Sequence, residues 1–350
     1  MSIDDVSLTP EEIEAALRNV MDPELNKDLV SLGMIQDLTV RDGKVKFTIE
    51  LTTPACPMKS KIEADARQAV ESLPGVSEVE IHLTSNVPSN DQIQGLAQRP
   101  IRNSIAIASG KGGVGKSTIA VNVAVVLANY GSRVGLLDAD IYGPNIPTMM
   151  GVETIPSPEE NKLLPAEAFG VKLMSIGFLV QPGQPLIWRG PMLHSAIRQF
   201  ITDVKWGELD YLIIDLPPGT GDVQLSLAQS MPLSGGVIVT LPQKVSIEDA
   251  RRGLEMFRAM DVPVLGIVEN MSGMLCPHCG KKIYLFKEGG GQRVALELGV
   301  PFLGKIPLDP QIVTFGDEGK TFVDTQPDSD ASRAFMAIVE KILRSNGGAP

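Results

Sequence analysis

The spacing of apolar residues near the start of the chain predicts a helix. In "TPEEIEAALRNV" the apolar positions recur at intervals of three and four residues, and Thr9 with Glu12 forms a capping box in front of them. Pro10 suits the first turn, where no backbone donor is needed. We therefore predict a helix from about 10 to 20.

Short runs with strand-like patterning follow this helix. Two of them, near 35 to 41 and near 44 to 52, are separated by Asp42-Gly43, which is a strong signal for a β-hairpin. A second helix near 57 to 72 and a strand near 78 to 83 come next. Together these elements predict a small α/β domain.

A polar stretch separates this pattern from a second one. Residues 85–103 contain proline and show no periodicity, so we predict a linker between a domain at 1–84 and a domain at 104–350. Beyond the linker, short apolar runs alternate with helical stretches; the runs are "SIAIAS", "VGLLD", "YLIID", "GVIVT", "PVLGIVE" and "PFLGKI". This alternation predicts an α/β fold with a doubly wound, mostly parallel sheet, whose sites lie at the carboxyl ends of its strands.

Composition and charge exclude several classes of protein. The chain has 350 residues, of which 43% are hydrophobic, as in a globular protein with a sizeable core. Its 31 basic and 42 acidic residues give a net charge of -11, which argues against nonspecific binding to nucleic acid or to anionic membrane. Because we find neither a signal-peptide pattern nor an apolar run long enough to span a bilayer, we expect a cytoplasmic protein without a membrane partner.

A phosphate-binding motif follows the first strand of the second domain. "SGKGGVGKST" matches G-x-x-x-x-G-K-[ST] between a predicted strand and a predicted helix, which is the context that the P-loop requires. In such a loop, backbone N-H groups bind phosphate, Lys116 contacts the β and γ oxygens, and Ser117 binds Mg²⁺. The residues predicted to bind ATP here are Gly110, Lys111, Gly112, Gly113, Val114, Gly115, Lys116, Ser117 and Thr118.

Acidic residues follow two further strands, at the sheet edge where Mg²⁺ and water are handled. "LLDADIYGPN" contains Asp138 and Asp140, and "YLIIDLPPGTGD" contains Asp215. Asp215 resembles the Walker B carboxylate that holds Mg²⁺, and Asp140 resembles the switch I residue that orients the attacking water. We expect Asp138 to support the magnesium site indirectly, through contacts with the residues or waters that bind Mg²⁺. Strand-end aspartates also cap helices, an alternative that could account for one of the three.

A second lysine, Lys111, lies early in the phosphate loop. "KGGVGKST" resembles the deviant Walker A motif of the nitrogenase iron protein and of partition and division-site ATPases. In that superfamily the early lysine reaches the nucleotide of the partner subunit, so the resemblance implies a dimer around ATP and a catalytic role for Lys111 beside Lys116, Asp140 and Asp215. It also implies that Asn270 contacts the adenine. A solvated lysine and an ordinary turn asparagine are the alternatives.

Cys276 and Cys279 form a Cys-x-x-C pair in "GMLCPHCGKK". The β-prone "GKKIYLF" follows the pair instead of a helix, which predicts a knuckle on a hairpin and argues against thiol-disulfide exchange. A tetrahedral site needs four ligands, and we expect His278 at the surface. A two-fold homodimer would bring two pairs together. Four thiolates suit zinc or an iron-sulfur cluster, so the ligands leave the metal open.

The motifs taken together resemble those of the Mrp/ApbC family of P-loop ATPases. They are "GKGGVGKST", "DADIYGPNIP", "WRGPM", "DYLIIDLPPGTGD", "VENMSG" with "CPHCG", and "EGGG". The resemblance implies a homodimer that holds a labile [4Fe-4S] cluster between its Cys276 and Cys279 pairs. It also implies ATP-assisted transfer of this cluster to apo iron-sulfur proteins and contact with the iron-sulfur assembly machinery.

The N-terminal "DPEL" and "TTPACPM" resemble the small domain of iron-sulfur assembly factors, over about residues 8 to 84. Cys56 lies within this resemblance, before Pro57 at a predicted helix start, where the helix dipole would favour its thiolate. Cys56 is therefore a candidate transfer thiol. A buried, inert cysteine is the alternative.

Two other functions share the nucleotide motifs. A spatial-organising ATPase on membrane or nucleoid would need a basic amphipathic tail, and the candidate is "ASRAFMAIVEKILRSNGG". Its Arg333, Lys341 and Arg344 against Glu340 make a weak basic face, so we expect this helix to pack on the sheet instead. An ATP-dependent reductase with a bridging cluster is the other alternative.

Overall fold

The computed structural model describes residues 8–22, 27–41, 43–51, 58–85, 101–159, 162–179, 190–229, 231–276 and 278–346. By its internal contacts the chain divides into two compact units, Met1–Pro88 and Ser89–Pro350. Each unit has a hydrophobic core of its own.

The smaller unit is a three-stranded sheet with two helices and a short two-residue ladder. Its elements are α1 (Pro10–Leu17), β1 (Met21–Asp22), β2 (Lys27–Asp28), β3 (Ile35–Arg41), β4 (Lys44–Leu51), α2 (Lys59–Glu71) and β5 (Glu78–Ser85). β3 pairs with β4 in antiparallel fashion, and β4 pairs with β5 in parallel. Alternate residues of β4 (Val45, Phe47, Ile49, Leu51) are buried, as expected for a strand with one face on a core.

Local sequence signals place most of this unit correctly. The capping box is confirmed, since Thr9 N donates to Glu12 Oε2 at 3.0 Å and Glu12 N donates to Thr9 Oγ1 at 3.3 Å. The hairpin around Gly43 is confirmed as well, and Gly43 has the positive φ of +77° that such a turn favours. The β1–β2 ladder was not predicted, because two-residue strands are too short to show a period.

The larger unit is built on one eight-stranded sheet. Its elements in chain order are β6 (Ile101–Ala108), α3 (Lys116–Asn129), β7 (Val134–Asp138), α4 (Ile146–Met149), β8 (Ala166–Ala168), β9 (Val171–Ser175), a 3-10 turn (Ile176–Leu179), α5 (Gly190–Thr202), β10 (Leu209–Asp215), α6 (Asp222–Gln229), β11 (Gly235–Thr240), α7 (Lys244–Ala259), β12 (Val264–Glu269), β13 (Met274–Leu275), β14 (Lys282–Ile283), α8 (Gly290–Leu298), β15 (Phe302–Lys305), α9 (Pro310–Asp317), α10 (Phe322–Thr325) and α11 (Asp330–Asn346). The sheet order is β15-β12-β11-β6-β10-β7-β9-β8.

Every strand pair of this sheet is parallel except β8 with β9. All residues of β7, β10 and β11 are buried, which shows that both faces of the sheet are covered. The predicted doubly wound, mostly parallel α/β fold is therefore confirmed. The six predicted parallel strands are β6, β7, β10, β11, β12 and β15.

Two features of the larger unit differ from the sequence prediction. β8 and β9 were missed, because Lys172 interrupts the apolar run of β9; its ammonium donates to the Trp206 carbonyl at 2.6 Å. β6 begins at Ile101, so the predicted linker at 85–103 runs too far into the second unit. Residues 86–100 of that linker lie outside the described residues.

The last helix, α11, packs on the sheet as expected. It contacts α3 and β15, and its buried side chains include Phe335, Ile338 and Ile342. Gly304 of β15 makes room for this contact, because a Cβ there would lie 2.8 Å from Ile338 Cγ1. In the described part of the chain, no helix combines the length and the apolar character needed to cross a bilayer.

Candidate nucleotide site and cysteine hairpin

The phosphate loop joins the central strand β6 to α3. Gly113 and Gly115 have φ values of +77° and +82°, and α3 begins at Lys116, so the backbone N-H groups at the start of the helix face the loop interior. Gly110 lies so close to α7 that a Cβ there would be 2.1 Å from the Asp249 carbonyl oxygen. The glycines of the motif thus serve both the turn and its close packing.

The carboxyl ends of β6, β10 and β7 lie side by side, and this brings the predicted acidic residues to the loop. Asp215 of β10 is in register with Asp138 of β7. Lys116 Nζ lies 2.7 Å from Asp215 Oδ1 and 3.4 Å from Asp140 Oδ2. Ser117 Oγ donates to Asp215 Oδ2 at 2.6 Å. Five predicted site residues therefore form one cluster.

Asp138 is, like Asp215, a completely buried carboxylate of this cluster. Its Oδ2 accepts hydrogen bonds from Ser175 Oγ at 2.9 Å and from Ile146 N at 3.4 Å, and its Oδ1 accepts from Asp140 N at 3.1 Å. Burial, and secondarily the charge of Asp215, raise the pKa of Asp138 to about 8. Ser175 was not predicted, because it ends β9, the strand that the sequence pattern does not show.

Burial also raises the pKa of Asp215, against the lowering effects of Lys116 and Ser117. Both observations mean that the carboxylates of this pocket outnumber Lys116, the ammonium that pairs with them among the described residues. A hydroxyl and a carboxylate in contact are ligands of the kind that Mg²⁺ takes in nucleotide sites. Ser117 and Asp215 therefore fit a magnesium site in their chemistry and their proximity.

The two lysines of the loop have different surroundings. Lys116 is 5% exposed and paired with carboxylates, whereas the ammonium of the half-buried Lys111 has no ion-pair partner among the described residues. The Lys111 carbonyl accepts a hydrogen bond from Ser109 Oγ at 3.0 Å, which fixes its backbone. Lys111 is thus held at the main chain, and no carboxylate of the described ranges neutralises its ammonium.

Asn270 contacts the phosphate loop from the end of β12. Its Nδ2 donates to the Val114 carbonyl at 2.8 Å, and its own N-H donates to the Thr240 carbonyl at 2.8 Å. A Cβ at Gly115 would lie 2.2 Å from Asn270 Nδ2. The side chain therefore braces the loop backbone; the predicted contact with adenine stays a prediction.

The cysteine pair lies on a short hairpin, as predicted. β13 and β14 pair in antiparallel fashion over two residues each, and the turn is closed by hydrogen bonds from Cys276 N to the Lys281 carbonyl and from Gly280 N to the Cys276 carbonyl, both 2.9 Å. Cys276 is half-buried, and Cys279 and His278 are exposed. His278 is therefore at the surface, in agreement with expectation.

Backbone N-H groups lower the pKa of the Cys276 thiol; the largest contribution comes from His278 and the next from Cys279. The thiolate that a metal binds is thus favoured at this position. Within the described ranges of the chain, no group of three or more Asp, Glu, His or Cys side chains is placed to hold a metal ion. One chain accordingly offers the two cysteine sulfurs as a pair.

Apolar side chains surround the cysteines without being covered. Leu275, Tyr284 and Leu285 are about half exposed, at 54%, 49% and 57%. Beside them lies a cavity of about 950 Å³, whose apolar lining includes Leu275 and Leu308. Exposed apolar surface of this kind is typical of a site of protein association.

Some predicted positions lie outside the described residues. They are Cys56, Pro277 inside the cysteine turn, and parts of the "DPEL", "TTPACPM" and "WRGPM" motifs. The transfer role of Cys56 therefore stays a prediction.

Comparison with protein-family models gives two matches that together cover most of the chain. Residues 100–343 match the model described as NUBPL iron-transfer P-loop NTPase. Residues 10–82 match the model described as iron-sulfur cluster assembly protein.

Individual relatives agree with these models. An iron-sulfur cluster carrier protein of Synechocystis is 52% identical over 344 residues, covering 96% of this chain and 97% of the relative. A solved nucleotide-binding protein of Archaeoglobus fulgidus, in complex with ADP, is 40% identical with a TM-score of 0.56, covering 63% of this chain and 87% of that one. The MinD cell division protein of Aquifex aeolicus is 22% identical with a TM-score of 0.51, covering 71% of this chain and 98% of that one; this likeness shows the fold alone.

Proposed function

Because the chain belongs to the family of NUBPL iron-transfer P-loop NTPases, we propose that it is an ATP-hydrolysing iron-sulfur cluster carrier. In this proposal a homodimer holds a labile [4Fe-4S] cluster between its Cys276 and Cys279 pairs and transfers it to apo iron-sulfur proteins. The observation that carries the proposal is the accessible cysteine pair on a hairpin whose first strand starts four residues after Asn270, the residue that braces the phosphate loop.

On the nucleotide side, each residue of the cluster has a proposed task. Lys116 and the N-H groups of the loop bind the phosphates, and Ser117, Asp215 and Asp138 hold and support Mg²⁺, which neutralises phosphate charge when bound. Asp140 orients the attacking water. Lys116 now neutralises Asp215 and Asp140, so bound phosphate gives its ammonium a second set of anionic partners.

On the cluster side, the described residues of one chain offer two cysteine ligands at the hairpin, fewer than the four that a cluster needs, and this supports the dimer. At an effective dielectric of about 20, two thiolates about 4 Å apart repel by roughly 4 kcal/mol, so four of them assemble only around a cation. The cluster therefore favours the dimer over the monomer, and its loss loosens the seam. The exposed apolar residues beside the cysteines supply surface for that seam.

The remaining assignments follow from the family and the charge. Lys111, whose ammonium has no ion-pair partner in the described part of the chain, is proposed to reach the nucleotide of the partner subunit. The N-terminal unit, with Cys56, is proposed to contact the iron-sulfur assembly machinery or a recipient. We place the protein in the cytoplasm, with neither nucleic acid nor membrane as its main partner.

Anaerobic reconstitution with iron and sulfide tests the proposal. We expect a brown, oxygen-sensitive wild-type dimer with about four irons, identified as [4Fe-4S] by its Mössbauer spectrum. Cys276→Ala should lose this iron, because it leaves each hairpin with a single cysteine, Cys279. His278→Ala, an exposed change in the same turn, is the matched control and should keep it.

Two results would contradict the proposed function. One is a colourless dimer that contains only zinc and activates no apoprotein. The other is Cys276→Ala protein with the iron content of the wild type.

A further inference from the structure

Glu269, the last residue of β12, has a carboxylate that the proposed chemistry does not use. Its side chain is completely buried, and none of the described residues forms an ion pair with it. A buried carboxylate without a cation is costly unless hydrogen bonds replace the lost water. The neighbours that supply those hydrogen bonds therefore indicate what this residue is for.

The donors to Glu269 come from both ends of the segment that carries the cysteines. Ser272 Oγ donates to Glu269 Oε1 at 2.5 Å, four residues before Cys276. Gly289 N donates to the same oxygen at 2.9 Å, and Gly291 N donates to Oε2 at 2.6 Å. One carboxylate thus closes the base of the hairpin segment 272–289.

The glycines of "EGGG" permit this close approach. A Cβ at Gly291 would lie 3.1 Å from Glu269 Cβ and 3.2 Å from its Oε2. A Cβ at Gly290 would lie 2.3 Å from the Pro242 carbonyl oxygen. The start of α8 is therefore pressed against β12, where its first N-H groups face the carboxylate.

The base determines where the cysteines lie, because the hairpin beyond it is largely exposed. Residues 275–285 that the structure describes are exposed or half-buried, and the two strands have two residues each. Two backbone bonds also hold the base, from Ser272 N to the Ile306 carbonyl, 2.9 Å, and from Leu308 N to the Gly273 carbonyl, 2.7 Å. Glu288 adds ion pairs to Lys282 and Lys305 at the same end of the segment. A shift of the base would move the hairpin as a body.

The residue next to Glu269 contacts the nucleotide loop. Asn270 donates to the Val114 carbonyl, so two adjacent side chains at one strand end bind the phosphate loop and the hairpin base respectively. We propose that Glu269 is the positioning residue that transmits the state of the nucleotide loop to the cysteine hairpin. This inference rests on the proposed function and names the element through which ATP would govern the cluster.

Glu269→Gln tests this role with almost no change of volume. Glutamine keeps one acceptor oxygen, but its amide nitrogen cannot accept a bond from the glycine N-H that it faces, so the base loses at least one of its glycine contacts while the P-loop and the cysteines stay intact. The measurement is the rate of cluster release to an iron chelator with ADP and with a non-hydrolysable ATP analogue. We expect the wild-type rates to differ by about tenfold and those of Glu269→Gln by less than about twofold.

Two controls separate positioning from general damage. Glu288→Gln removes a carboxylate of the same segment, one that pairs with Lys282 at 3.3 Å and Lys305 at 3.2 Å, and should keep the wild-type ratio. Iron content and nucleotide affinity of Glu269→Gln should stay within about twofold of wild type. If Glu269→Gln fails to fold, Ser272→Ala removes the hydroxyl bond alone and should lower the ratio.

Hydrogen exchange of the hairpin amides provides a readout that needs no cluster. In apoprotein, exchange over 273–285 should differ between ADP and the ATP analogue in wild type and not in Glu269→Gln. A wild-type ratio in Glu269→Gln, or no nucleotide effect on the wild-type hairpin, would overturn the inference. Suppose that wild-type protein binds no cluster, yet its hairpin exchange still differs between ADP and the ATP analogue. This result would overturn the proposed function and would still support coupling between the nucleotide loop and the hairpin.

Discussion

The ammonium of Lys116 pairs with both Asp140 and Asp215. Asp138 lies beside them, and none of the described residues gives it an ion pair. Asp138 is held instead by one hydroxyl and two backbone N-H groups. Since these donors compensate burial incompletely, the pKa of Asp138 rises to about 8. The nucleotide pocket thus contains a carboxyl that takes up a proton near neutral pH.

This raised pKa makes the stability of the folded protein depend on pH in a defined direction. The unfolded chain releases the Asp138 proton near pH 3.9 and the folded chain near 8, so the folded state binds the extra proton between these values. The contribution of Asp138 is therefore full at low pH and is lost as the pH rises toward 8. We expect the free energy of unfolding of wild type, relative to Asp138→Asn, to fall by up to about 1.4 kcal/mol per pH unit over that range.

Chemical denaturation of the nucleotide-free protein at pH 5, 6, 7 and 8 measures this difference. Glu167→Gln, which changes an exposed carboxyl on β8, should leave the wild-type slope intact. A difference between wild type and Asp138→Asn that stays constant with pH would contradict the prediction.

At the residue scale, the sequence predicts those side chains that belong to a spaced motif. Lys116 and Ser117 follow from the glycine spacing, and Asp215 follows from its place after an apolar run. Ser175 and Glu269 could not be found in this way. The partner of Ser175 lies 37 positions away on another strand. Glu269 belongs to "VENMSG", but nothing in that motif shows that its carboxylate accepts from the glycines of "EGGG".

Among the elements, α11 is the one that distinguishes the proposed cluster carrier from a membrane-associated spatial-organising ATPase. A membrane-binding tail would keep its apolar face available, whereas Phe335 is fully buried. Phe335→Ala should therefore destabilise the protein by about 3–5 kcal/mol, because it leaves a cavity between the helix and the sheet. The free energy of unfolding from urea titration is the measurement.

Lys341→Ala is the matched control on the exposed face of the same helix, where we expect a change within about 0.5 kcal/mol. If Phe335→Ala were as stable as wild type and Lys341→Ala abolished ATP-dependent cosedimentation with anionic vesicles, α11 would be a membrane tail after all.

Elements with a strong local signal were predicted, and elements that depend on tertiary contacts were not. The β3–β4 hairpin needs only its turn and its alternation, and the strands at the centre of the sheet need only their apolar runs. β9, which lies between β7 and β8, carries Lys172 in its middle. The Trp206 carbonyl accepts a hydrogen bond from the lysine ammonium, a contact that the local sequence does not show. In the sequence the polar start of β6 looks like a linker. In the structure it is part of the strand, because Ile101 pairs with Leu209 of β10.

For the whole molecule, the proposed dimer predicts that two inactive variants restore ATP hydrolysis when they are mixed, which a monomeric ATPase could not do. Lys111→Ala and Lys116→Ala should each lose ATP hydrolysis. In a mixed dimer, the site with intact Lys116 receives Lys111 from the other subunit and is complete. Random pairing of equal amounts makes half the dimers mixed, each with one working site, so the mixture should recover about a quarter of wild-type hydrolysis.

Each variant measured alone at the same total concentration is the control. Mixing after the dimers have been locked by cluster reconstitution should recover less, because exchange of subunits is then slow. A mixture as inactive as its components would mean that Lys111 serves its own subunit.

The two-residue strands of the cysteine hairpin have a further consequence for recognition. So short a ladder is marginal by itself, and on the proposed function the two metal-sulfur bonds that each hairpin makes would add the order that it lacks. The bound cluster would then complete the folding of the hairpin, so the surface around Leu275 and Tyr284 would differ between the cluster-bound and the cluster-free carrier. On the proposed function, this difference in shape would let a recipient distinguish a loaded carrier from an empty one before any ligand exchange begins.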